Sequence, residues 1–91
     1  MSLKDAIKQF IEEEIVDEDE PVEIAHDDRL IERGVIDSMA VMQIVTFLEE
    51  ETGLRIPDSE VVLENFESVS TMDAMVRRLS SRAKGYDDST D

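Results

Sequence analysis

A chain of 91 residues with 41% hydrophobic side chains can enclose one small core and not two. Nine basic residues against 24 acidic ones leave a net charge of −15, which excludes nucleic acid and anionic lipid surfaces as partners and favours basic protein surfaces. With no cysteine, no tryptophan and a single histidine, disulfides, thiolate metal sites and the usual nucleophile–base pairs are missing, so catalysis by the chain alone is not expected.

Ser2 with Asp5 makes a weak helix start, because the reciprocal capping box normally has Glu or Gln at the later position. Leu3, Ala6, Ile7, Phe10, Ile11 and Ile15 follow at helical spacing and predict a first helix over about residues 3 to 16. The acidic run from Asp17 to Glu20 and then Pro21 end it. Polar, irregular chain continues to Arg29, with Val22, Ile24 and Leu30 as isolated apolar anchors around a long first connection. After Gly34, the stretch Val35-Ile36-Asp37-Ser38 leads into good helix formers that stop at Thr52-Gly53, where glycine suits the left-handed residue that follows a helix.

Leu54 to Asp58 reads as an extended turn, since Pro57 keeps Ile56 out of the helical region. Leu63 and Phe66 anchor one short helical turn. Ser70 with Asp73 signals the last helix, in which Met72, Met75, Val76 and Leu79 recur at i, i+3, i+4 and i+7. Residues 85–91 read as a flexible acidic tail, leaving residues 1–84 as the domain. No strand-period alternation of useful length occurs, so the expected fold is all-α: a small bundle of three main helices plus one short helix, with a long first loop.

The second helix has two apolar faces. At about 100° per residue, Val41, Ile44, Val45, Leu48 and Thr52 form one side, the expected core stripe. Met39, Met42, Gln43, Thr46 and Glu50 fall on nearly the opposite side, where two methionines should meet water. Single exposed apolar residues are common, so spacing alone leaves open a bundle that wraps both faces. The other reading is a partner surface: methionine is flexible and polarizable, and suits a protein that docks in turn against several enzymes.

Ser38 at a helix start is an ordinary capping residue by local sequence alone. The stretch Glu32-Arg33-Gly34-Val35-Ile36-Asp37-Ser38-Met39, however, resembles the Gly-x-x-Asp-Ser-Leu/Met signature of acyl and peptidyl carrier proteins. Phe47-Leu48-Glu49-Glu50-Glu51-Thr52-Gly53-Leu54-Arg55-Ile56-Pro57-Asp58 is similar to that family's Leu-Glu-Glu-x-Phe/Tyr-x-x-x-Ile-Pro segment, and Glu64-Asn65-Phe66-Glu67-Ser68 continues the series, so the likeness spans residues 30 to 80. It implies an acyl-carrier-like bundle in which 4'-phosphopantetheine is attached covalently to Ser38 and holds acyl or aminoacyl groups as thioesters.

The physics of the position agrees with that implication. A helix N-terminus offers free N–H groups and a partial positive charge to a phosphodiester. Asp37 can cap the helix in place of Ser38 and leave the hydroxyl free, or help a transferase bind its metal-nucleotide substrate. The implied partners are a phosphopantetheinyl transferase, an acyl- or aminoacyl-activating adenylation enzyme, and downstream transferases with basic docking surfaces. Met39, Met42, Gln43 and Thr46 are the candidate partner-binding residues. Carriers of fatty acid synthesis tend to have acidic residues where this chain has Ala40 and Gln43, so the likeness is greater to free-standing carriers of adenylation-dependent or specialised pathways, D-alanyl carriers included.

Competing readings are weaker. An EF-hand loop begun at Asp17 would place Pro21 at the fifth position, Val22 where glycine makes the turn, and Asp28 in place of the final Glu. His26 reads as a surface residue, and Arg77, Arg78, Arg82 and Lys84 as cations that complement the end of the last helix. An unmodified helical adaptor with the same fold, acting only through protein binding, is the leading alternative. Without an apolar run of about 18 residues or a signal-like segment, the expectation is a cytoplasmic protein with no stable membrane insertion. The charge favours a monomer.

Overall fold

In the computed structural model, residues 2–16, 19 and 23–90 are described, with side chains through Arg82. Helix α1 runs Leu3–Phe10, and the Ser2 hydroxyl oxygen accepts the Asp5 amide at 3.2 Å to cap it. Helical backbone continues beyond Phe10 but changes pitch. A π-helical turn, Ile11–Ile15, is closed by the Val16 amide on the Ile11 carbonyl at 2.9 Å. The helix expected over residues 3 to 16 is thus one segment with two hydrogen-bonding patterns.

Helix α2, Ser38–Thr52, ends as its sequence dictates. Gly53 takes φ 72° and donates its amide to the Glu49 carbonyl at 2.9 Å, a left-handed cap that a Cβ would strain. The chain then passes through two 3₁₀ turns, Asp58–Glu60 and Leu63–Phe66, of which only the second was expected. Within that second turn Phe66 is buried, whereas Leu63, read as a second anchor, is exposed beside Val62.

Helix α3 spans Val69–Thr90. Its cap is not Ser70 but Ser68, whose hydroxyl oxygen accepts the Thr71 amide at 3.1 Å while Thr71 Oγ1 accepts the Ser68 amide at 3.0 Å. Ser70 is engaged elsewhere: its hydroxyl donates to Asp27 at 2.7 Å and its amide to the His26 carbonyl at 2.9 Å. Asp73 is buried and takes Arg77 Nε at 2.8 Å. Arg78 reaches Glu60 at 2.8 Å, so two cations of the basic patch are paired. The tail expected over 85–91 involves side chains outside the described residues.

The core is filled by Ile7 and Ile11, by Ile44 and Leu48 of α2, by Phe66, and by Met72 and Met75 of α3, all fully buried. Each such side chain contributes roughly 1.5–3 kcal/mol through removal from water. Ile24 and Leu30 enter the same core from the first connection, which is tied down along its described part. Leu30 donates its amide to Glu67 at 2.7 Å, and Ile24 donates its amide to the Glu12 carboxylate at 3.3 Å. Most of the acidic run, and Val22, lie outside the described residues. The result is a small all-α bundle of three helices with short 3₁₀ turns and, among the described residues, no strand. No described helix is long and apolar enough to cross a membrane.

Candidate functional site

The corner before α2 is built from a turn and two buried anchors. Residues 30–34 form a tight turn in which Gly34 takes φ 77° and donates its amide to the Ile31 carbonyl at 3.1 Å. The amides of Val35 and Ile36 both return to the Leu30 carbonyl, at 2.9 and 3.3 Å. Ile36 and Ala40 are then buried on either side of the corner, so the three residues between them, Asp37, Ser38 and Met39, are exposed.

Asp37 caps α2. Its Oδ1 accepts the Ala40 amide at 2.9 Å, and its carbonyl accepts the Val41 amide at 3.0 Å. Ser38 is the first residue of the helix, and its hydroxyl has no partner among the described residues. The amides of Ser38 and Met39 are likewise left for a ligand or water, at the positive end of the helix dipole. A phosphodiester on this hydroxyl would meet free N–H donors without displacing a cap, so the corner fits a phosphopantetheine group on chemical grounds. Such an arm supplies the thiol that the chain, having no cysteine, does not.

The α2 faces separate as the helical projection requires. Val41, Ile44, Val45 and Leu48 are buried and Thr52 is half-buried, whereas Met39 is 76% and Met42 59% exposed, with Gln43 and Thr46 exposed beside them. The Thr46 hydroxyl donates to the Met42 carbonyl at 3.2 Å, so its polar need is met within the helix. Met42, Val45, Thr46, Ile56 and Val61 line an open groove of about 810 Å³ between α2 and the segment after Gly53. Val62 and Leu63, next in the chain, add two exposed apolar residues that sequence reasoning did not place on a surface. The run Val61-Val62-Leu63 was the available signal, since a turn that short cannot bury three consecutive apolar side chains.

Other candidates do not gather into a centre. The Asp28 carboxylate is occupied by the Ala25 amide and by Arg33, each at 2.7 Å, and His26 Nε2 lies 3.3 Å from Asp5. Among the described residues, no three metal-ligating side chains converge.

The chain is thus a small acidic all-α bundle with an exposed serine at a capped helix start. The model of the family described as "Phosphopantetheine attachment site" matches residues 4–79, and the chain belongs to that family. Its members bear 4'-phosphopantetheine covalently on a serine, so this chain is a carrier protein with that prosthetic arm, and carrier domains of this kind work with transferases and synthetases. No curated protein matches the chain.

Proposed function

We propose that Ser38 is the attachment point and that the protein is a cytoplasmic carrier, presenting acyl or aminoacyl thioesters to the enzymes of a biosynthetic pathway. The observation that supports this reading is the division of labour at the corner: Asp37 makes the capping hydrogen bond, and the neighbouring exposed hydroxyl is unpartnered. Asp37 holds the helix start, and Met39, Met42, Gln43 and Thr46 offer docking surface to the partners. These are the transferase that installs the arm, the adenylation enzyme that loads it, and transferases that take the cargo. The chain itself activates nothing; the base and the metal come from the partner.

Incubation with coenzyme A and a broad-specificity phosphopantetheinyl transferase should add one arm, read as a single step in the intact mass, and Ser38→Ala should abolish it. An unchanged mass under conditions that fully convert a control carrier would overturn the assignment and leave an unmodified adaptor.

A further inference from the structure

Phe10 of α1 and Phe47 of α2 stack with ring centroids 4.3 Å apart and planes 17° from parallel, and both are only half-buried. Two open grooves flank the pair, of about 320 and 390 Å³, and each is lined by both rings and by Glu14. Glu50 borders the first, and Glu13 and Glu51 the second. Elsewhere on the molecule arginines find carboxylates, as Arg33 does Asp28 and Arg78 does Glu60. Here no described Lys or Arg pairs with Glu14, Glu50 or Glu51.

We propose that this α1–α2 groove receives an arginine-bearing segment of a partner enzyme, the guanidinium lying against the Phe10–Phe47 pair and pairing with Glu14 and Glu50. The proposal extends the docking face assigned above and rests on that reading for its biological partner. The two surfaces are continuous, because Gln43 and Thr46 line this groove and Thr46 also lines the one beside Met42.

Charge and shape select the occupant. A neutral apolar segment would cover carboxylates without pairing them, a phosphate-bearing ligand would be repelled, and a second copy brings the same −15 charge. A guanidinium can lie flat on an aromatic ring while its N–H groups fork onto a carboxylate, which an ammonium cannot do.

The full-length chain, without its arm, is titrated with a tetra-arginine peptide at low salt and followed by amide chemical shifts. Saturable shifts should centre on Phe10, Glu14, Phe47 and Glu50. The double variant Glu14→Gln/Glu50→Gln should bind about tenfold more weakly. Phe47→Leu, whose folding is checked by circular dichroism, should lose about threefold. A tetralysine peptide of equal charge should bind several-fold more weakly than tetra-arginine. Glu64→Gln, exposed and outside both grooves, should change nothing. An equal loss in Glu64→Gln, or shifts spread evenly over all acidic segments, would overturn the groove. Because no arm is involved, the outcome is independent of whether Ser38 is modified.

Discussion

A serine at a helix start caps that helix when it stands at the N-cap position, but here that position is held by Asp37, with Oδ1 on the Ala40 amide at 2.9 Å, and Ser38 follows as the first helical residue. Removing that carboxylate withdraws the cap and invites the Ser38 hydroxyl to replace it. Asp37→Ala should therefore destabilise the fold by about 1 kcal/mol and slow attachment of the arm, whereas Asp37→Asn should retain most of the stability. Urea unfolding of the three proteins checks this; equal midpoints would show that the cap contributes nothing. The pair was legible because capping preferences are local. The cap of α3 was not, since Ser68 and Ser70 are both competent and the choice is made by tertiary contact: Asp27, far away in the chain, takes the Ser70 hydroxyl at 2.7 Å. That partner has no signature in the sequence around residue 70.

At the scale of elements, the same residue type serves two purposes. Met72 and Met75 are fully buried in α3, and Met39 and Met42 stand out from α2. Helical projection separates these pairs correctly, because each helix has one stripe that the bundle can cover. Met75→Ala should accordingly cost about 2–5 kcal/mol. Met42→Glu should stay within about 0.5 kcal/mol of the parent while weakening docking to the loading enzyme. Thermal melts beside binding titrations decide between them, and a large stability loss in Met42→Glu would place that residue in the core. Projection says less about Phe47, which lies between the two faces of α2 and is half-buried through its stacking on Phe10. The π-helical turn after Phe10 was also illegible, since an i to i+5 hydrogen bond leaves the apolar spacing of Ile11 and Ile15 looking like that of an ordinary helix.

Over the whole molecule, four of the nine cations pair with the fold's own carboxylates: Arg29 with Glu32, Arg33 with Asp28, Arg77 with Asp73 and Arg78 with Glu60. Among the described residues, Glu13, Glu14, Glu50, Glu51 and Glu64 are exposed, and in a chain of net charge −15 such carboxylates repel one another and attract basic partners. Salt should therefore act on folding and docking in opposite senses. Raising ionic strength from about 0.05 to 0.5 M shortens the screening length from roughly 14 to 4 Å, which relieves self-repulsion and should raise the melting temperature by a few degrees. Over the same range the association rate with a loading enzyme should fall by about tenfold or more, with the dissociation rate changing much less, because steering acts before contact. Stopped-flow association and thermal melts on one salt series test both halves. An association rate that does not change with salt would mean that the acidic surface guides no partner, even if the melting temperature rose as expected.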